Sequence, residues 1–585
     1  MQKTSRATAQ IRLSTLTNRS RSTETMSQQT VQSPWGQALL SLILYLIYRF
    51  FNSIDAEPLY LWLFGSATLL CVFLTIKGLI GSFRWLRLIK SMKVPTGIYG
   101  QTKFPTASNA EDIGLRFSNE DGDGIPLASV DGKIIYWHGR GHMSVRAPTD
   151  SGKTESSAAN ICFALGSHRN IICTAKGAEL AWLCGPYRKS IGQNIIFINP
   201  WRLMNKNGLP FHDFNPVGHL VKYAERRDPE LIDKARSIAN ILSPEPENGS
   251  GDNKIFRTQA CDILTWCLVY LAILEAETGE LCCNLPYLYN VLCGSNEDLM
   301  EFFSQMQTCY EFGGTIRRAA GRFHGKMQRS PKSAESFLTQ AQDALQLYDP
   351  AGMLGRSMEY SDFDPVDLKR PDKPTTIFII IPPEKSLTHG SFAGLCLNAL
   401  IDICIEADSF EPRVTVVADE FANLSEGKLP AILPALFVGR SRGLQLITYV
   451  QDTESYSRYG KEASAFTTQA EVVLAWGIRS TKDAEDYSKR SPQKSIMAES
   501  GNIPISDDAG SDGKYSLGLS EKGIAYLRAD EFMSLPDYTA VIFYKQNTPL
   551  IAKLFSYRMV EPWCHHATPV PGSPPLSELP VTLKA

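Results

Sequence analysis

The chain has 585 residues, far above the ~150 typical of one domain, so a small module is excluded and two or more folded units are expected. Apolar residues make up 43% and charged residues 21%, which excludes a disordered or collagen-like chain. The 59 Lys and Arg against 61 Asp and Glu leave a formal net charge of -2, so any nucleic-acid contact must be local. Thirteen Cys without a CxxC pair and nine His without zinc spacing argue against a disulfide framework or a structural metal; such thiols suit a reducing compartment.

Residues 1–30 are Ser/Thr-rich and carry Lys3, Arg6, Arg12, Arg19 and Arg21 against one acid, Glu24, the composition of a disordered tail. An organellar transit peptide looks alike, but a true start at Met26 rather than Met1 is the simpler account. Two apolar runs follow, Trp35 to Phe51 and Leu59 to Ile76, each near the ~20 residues that cross a bilayer. The turn Asn52 to Pro58 has no Lys or Arg, whereas Lys77, Arg84, Arg87, Lys90 and Lys93 flank the outer side, so both ends are expected in the cytoplasm. Arg49 dissents and would have to snorkel to the opposite interface. A buried helical hairpin and a signal peptide are the alternatives to a transmembrane hairpin over 31–92.

Beyond residue 95, short apolar strand signals alternate with helical stretches, the pattern of a mostly parallel α/β sheet. Ala147-Pro148-Thr149-Asp150-Ser151-Gly152-Lys153-Thr154 matches the phosphate loop G-x-x-x-x-G-K-[ST], with Ala in place of the first Gly. In such a loop the backbone amides and the following helix N-terminus face the phosphates. Gly152 allows close approach, Lys153 reaches the β and γ oxygens, and the Thr154 hydroxyl ligates Mg2+. An ordinary polar turn before a helix is the bland alternative. Asn170 to Ala175, Gln193 to Asn199 and Thr375 to Ile381 read as further strands of the same sheet.

Ala260 to Glu277 is richly apolar but contains Asp262, Glu275 and Glu277, and reads as a buried core helix rather than a third span. From Leu281 to about Tyr348 the pattern is helical. Arg317, Arg318, Arg322, Lys326, Arg329 and Lys332 fall there without an acid between them, suiting phosphate contacts, an acidic substrate tail or a solvated helix face.

Arg413 to Leu424 is a β-branched run ending in Asp419 and Glu420, and the carboxyl end of a buried strand is where an α/β sheet places ligand contacts. Asp419 would hold Mg2+ through its water shell and Glu420 would orient or deprotonate the attacking water, which with the loop points to nucleotide hydrolysis. The strand Gln445 to Val450 ends at Gln451, either a γ-phosphate sensor or a plain strand end. Residues from Glu561 are Pro-rich and read as a disordered tail; His565 and His566 have no companion metal ligands.

The blocks APTDSGKT, TAKGAELAW, FINPW, FNPVG (Phe214 to Gly218), ADEFANL, GRSRGLQL (Gly439 to Leu446), YVQD and LRADEF (Leu527 to Phe532) together resemble the TraG/TraD/VirD-type family of type IV secretion coupling proteins over roughly residues 95–560. The resemblance implies a RecA-like P-loop NTPase domain with an inserted all-α subdomain and an N-terminal two-helix transmembrane hairpin. It further implies an ATPase using ATP and Mg2+ that forms a homohexamer in the bacterial inner membrane. Such a protein receives relaxase-bound single-stranded DNA or protein substrates and passes them to the inner-membrane components of a type IV secretion channel.

The corresponding organisation is a tail over 1–30, the hairpin over 31–92, and a nucleotide-binding domain in two parts, 93–278 and 361–560. The all-α subdomain would occupy 279–360 and the Pro-rich tail 561–585. Arg440 and Arg442 in the GRSRG block could act as an arginine finger on a neighbour's γ-phosphate, or be surface residues. An FtsK/HerA-like DNA translocase shares the anchor and loop without the GRSRG and LRADEF blocks, and a substrate receptor that binds ATP with negligible turnover is a rival of another class.

Overall fold

The computed structural model describes residues 34–54, 57–92, 95, 98–99, 109–149, 151–244, 251–424, 427–502, 516–545, 547–571 and 583–584. The tail over 1–30, Met26, Asp150 and most of the last fifteen residues lie outside the described residues. The chain divides into two compact units, Met1–Gln101 with Lys494–Ile524, and Thr102–Gln493 with Ala525–Ala585.

In the first unit α1 (Pro34–Ser53) and α2 (Pro58–Met92) form an apolar hairpin. Within α2, Pro58–Gly81 has a mean hydropathy of 2.0 and none of it is buried, while the apolar part of α1 is the shorter Ala38–Ser53. Leu39, Phe50, Trp62 and Phe73 are more than half exposed, an arrangement costly in water and favourable in hydrocarbon. Phe51 stacks on Phe64 at 5.3 Å across the turn, and the hydroxyls of Thr68 and Thr75 donate to carbonyls of the preceding turn at 2.7 Å, which satisfies both within the helix. The strands β10 (Gln493–Asn502) and β11 (Ser516–Ala525) form a separate ribbon.

The second unit is built on one eleven-stranded sheet in the order β2-β1-β13-β12-β9-β3-β8-β7-β4-β6-β5. Seven strands are parallel: β3 (His142–Arg146), β4 (Asn170–Lys176), β5 (Asn194–Ile198), β6 (Thr375–Ile381), β7 (Val414–Ala418), β8 (Leu444–Val450) and β9 (Ala470–Trp476). Every residue of β3, β6, β7 and β8 is buried, as strands covered on both faces require. An antiparallel wing of β1 (Ile125–Val130), β2 (Lys133–Trp137), β12 (Thr539–Tyr544) and β13 (Leu550–Lys553) extends the sheet beyond β9.

The segment Ala260 to Glu277 lies within α7 (Gly251–Thr278), and 72% of its most apolar stretch is buried. It packs on α6 (Glu230–Leu242), and with α8 (Leu285–Leu292), α9 (Asn296–Met306), α10 (Glu311–Arg329) and α11 (Pro331–Asp343) it forms the inserted all-α part: α10 and α11 lie against α7, Tyr270 meets Phe302 of α9, and α8 packs on α9 and α11. Asn284 caps α8 through Tyr287 N–H at 2.7 Å, and Ser295 with Asp298 forms a capping box on α9.

The disordered tail expected from residue 561 is corrected for its first part. Val560–Glu561 pairs with Leu583–Lys584, Trp563 is 4% exposed against Phe163 and Phe555, and His566 stacks on Tyr187 at 4.9 Å. The apolar area of Trp563 outweighs the ordering cost, and prolines lower that cost by restricting the unfolded chain.

His142 opens β3 with its Nδ1 accepting the Leu446 N–H at 3.0 Å. Burial pushes its pKa down to about 4 from 6.5. The unfolded chain therefore takes up this proton first, and stability falls as pH drops from about 6.5 to 4, with no further loss from this group below that. We expect about 3 kcal/mol of acid destabilisation from His142, measured as unfolding against pH in detergent, and His142→Gln to flatten that slope.

Candidate functional site

The phosphate-loop sequence leaves β3 at the carboxyl end of the parallel sheet. Ala147 N–H extends the ladder by donating to Val450 O at 3.1 Å. Gly152 takes φ +75°, where a side chain would be strained, whereas Ala147 lies outside the positive-φ region, which is why alanine is tolerated at the entry position. Ser151 Oγ closes the turn on Pro148 O at 2.7 Å, and Ser156 N–H bonds Gly152 O at 2.7 Å to start the helix that continues as α3 (Ala159–Ala164). Its first turn directs unpaired amides and positive dipole toward the loop. Lys153 is folded back, its Nζ donating to Ala147 O at 3.1 Å and Pro148 O at 3.4 Å. Thr154 begins the helical turn and is partly exposed.

The acid pair sits two strands away, across β8, at the same end of the sheet. Asp419 follows β7 and is 9% exposed, its carbonyl accepting Thr174 Oγ1 at 3.0 Å and its Oδ1 accepting the Glu420 N–H at 3.0 Å. Burial raises the Asp419 pKa to about 6. The Lys153 ammonium opposes that rise, Glu420 adds to it, and Lys176 opposes it from the end of β4. Lys153 and the acid pair therefore share one electrostatic environment, with burial dominant. A desolvated carboxylate only partly compensated by cations, opposite a hydroxyl and an amide-lined loop, is a donor set that fits a hard divalent cation and phosphate oxygens.

Glu420 occupies the left-handed region at φ 47°, ψ 47°, a costly conformation for a side-chain-bearing residue and one that recurs at functional sites. The bend separates the directions of the two carboxylates. Glu420 Oε1 lies 3.3 Å from Lys176 Nζ and Oε2 accepts Asn423 Nδ2 at 2.9 Å.

Residues missed from sequence complete the frame. Trp476, ending β9, donates Nε1 to Ser151 O at 3.0 Å, and Gly477 (φ +60°) leaves room for Pro148, whose Cδ would lie 3.2 Å from an added Cβ. The Trp-Gly step after a Val-rich strand was the available signal. Lys176 stood inside the TAKGAELAW block, but nothing local assigned it to Glu420.

Gln451 follows β8 at the same edge and is exposed. Arg440 and Arg442 precede β8, at the opposite edge, a strand length of roughly 20 Å away, so the structure does not bring them to the loop of their own chain. Arg442 pairs with Asp408. Of the basic cluster on α10 and the start of α11, Arg317 stacks on exposed Tyr310 at 4.8 Å and Lys326 bonds Gln259, while Arg318, Arg322, Arg329 and, on α11, Lys332 are exposed.

Comparison with known proteins agrees with this architecture. The family model described as Type IV secretory system Conjugative DNA transfer matches residues 106–569. The conjugal transfer protein TraG of Escherichia coli is 23% identical over 423 residues, 69% of this chain and 64% of that protein, so the chain spans less than two thirds of this relative's length.

The bacterial conjugative coupling protein TrwBdeltaN70, in an unbound monoclinic form, matches with a TM-score of 0.55 at 16% identity over 79% of this chain and 96% of that one. Plasmid coupling protein TrwB in complex with ADP and Mg2+ matches with a TM-score of 0.54 at 14% identity, over 82% and 99%. At such identities the likeness is one of fold. With 464 consecutive residues under the family model, the chain belongs to the Type IV secretory system Conjugative DNA transfer family.

Proposed function

We propose that the chain is a membrane-anchored ATPase that couples substrates to a type IV secretion channel. The observation that carries this is the sheet geometry that brings the Lys153 loop after β3 and the buried Asp419 after β7 to the same end of one parallel sheet, though they are far apart in sequence. In this reading residues 147–154, Asp150 among them, cradle the triphosphate through the N–H groups that follow Pro148, and Lys153 unfolds from its own loop to pair with the β and γ oxygens. Thr154 and Asp419 would hold Mg2+, which when bound neutralises the charge that develops on the phosphates. Glu420 orients a water and accepts its proton, and Gln451 faces the γ-phosphate region.

Arg440 or Arg442 would act on the site of a neighbouring copy in a homohexamer, since their own loop is out of reach. The hairpin α1–α2 would anchor the protein in the bacterial inner membrane with both termini cytoplasmic, because the basic residues flank its outer side. Cargo would be relaxase-bound single-stranded DNA, handed to the inner-membrane components of the channel. The exposed Arg318, Arg322 and Arg329 offer phosphate contacts on the all-α part. The TrwB structures titled as complexes with an ATP analogue and with ADP and Mg2+ support the choice of ligand.

Lys153→Ala is expected to weaken binding of a fluorescent ATP analogue about 10- to 100-fold. Glu420→Gln should retain that binding and lower turnover at least about 100-fold, separating a motor from a receptor that only binds. Single-stranded DNA should stimulate ATPase of the full chain in detergent, and the Arg318→Glu, Arg322→Glu pair should reduce both the stimulation and its salt dependence. Absence of stimulation would point to protein cargo alone.

A further inference from the structure

The residue placed to prepare the water is held by two neighbours. Glu420 has one carboxylate oxygen 3.3 Å from the Lys176 ammonium and the other accepting the Asn423 amide at 2.9 Å, so both oxygens are engaged. The restraint is local and built: Lys176 ends β4, Asn423 lies one turn after Glu420, and the Asn423 N–H bonds Glu420 O at 2.8 Å. Together with Asp419 and Thr174 they line one small cleft. The Glu420 side chain is 15% exposed and that of Lys176 38%, so the pair is partly shielded and Lys176 has an open route to solvent.

We propose that Lys176 and Asn423 are positioning residues that park Glu420 in the nucleotide-free chain and keep idle hydrolysis low; this rests on the hydrolysis reading above. Each oxygen keeps a second acceptor site, but the two hydrogen bonds fix the direction of the carboxylate, holding it against Lys176 and Asn423. To swing toward a water beside the γ-phosphate, Glu420 must give up the ammonium or the amide. The contacts are weak enough to break, since a partly exposed ion pair and one neutral hydrogen bond each contribute modestly. The left-handed backbone at Glu420 fixes where the side chain starts, so the two partners and not the main chain decide which way the carboxylate points.

Two measurements on the full chain test the proposal. Lys176→Met should raise kcat about fivefold without DNA, and Lys176→Arg should restore the low rate, because the guanidinium can take the same oxygens. Without nucleotide, Glu420→Gln should expose Lys176, seen as a severalfold faster acetylation of its ε-amine by mass spectrometry. A loss of turnover in Lys176→Met, or unchanged acetylation in Glu420→Gln, overturns the parking role. Wild-type turnover in Glu420→Gln overturns instead the hydrolysis reading on which it rests.

Discussion

The site depends on one arrangement: parallel strands that end side by side deliver a cationic loop from β3 and a buried acid from β7 to a common edge. Burial alone drives Asp419 toward its neutral form, and the Lys153 and Lys176 charges hold it partly in check. An acid left short of positive charge in a dry position is a poor structural choice and a good ligand for a cation. Every strand between them is fully buried, so the edge is rigid where these groups leave it.

Two further features follow from the sheet. Trp476 and Gly477 at the end of β9 brace the loop from the other side, so the cradle is held by three strand ends rather than by its own turn alone. The direction of β8 puts Gln451 at the loop and the GRSRG turn at the far edge. A phosphate contact by Arg440 or Arg442 would therefore have to be made between copies, since both precede β8 at the end of the sheet away from their own loop.

Five of the seven parallel strands, all but β3 and β9, and the two motifs were legible because each is a local signal: an apolar β-branched run, a glycine-lysine turn, two adjacent carboxylates. The antiparallel wing was not, since its strands are short and pair over long range, Ser129 with Lys553 and Ala540 with Trp476. The Lys176 contact with Glu420 joins residues on adjacent strands that are distant in sequence, and no spacing rule reaches it. The Pro-rich composition after residue 561 concealed a buried tryptophan, whose packing only the folded neighbours Phe163 and Phe555 reveal.

The account is tested most directly by a cryo-electron microscopy map of the full chain with Mg2+ and a non-hydrolysable ATP analogue. It predicts triphosphate density along residues 147–154 and metal density between the Thr154 hydroxyl and the Asp419 carboxylate. Nucleotide bound elsewhere, or a triphosphate in the loop with Asp419 turned away and no metal beside it, would contradict it.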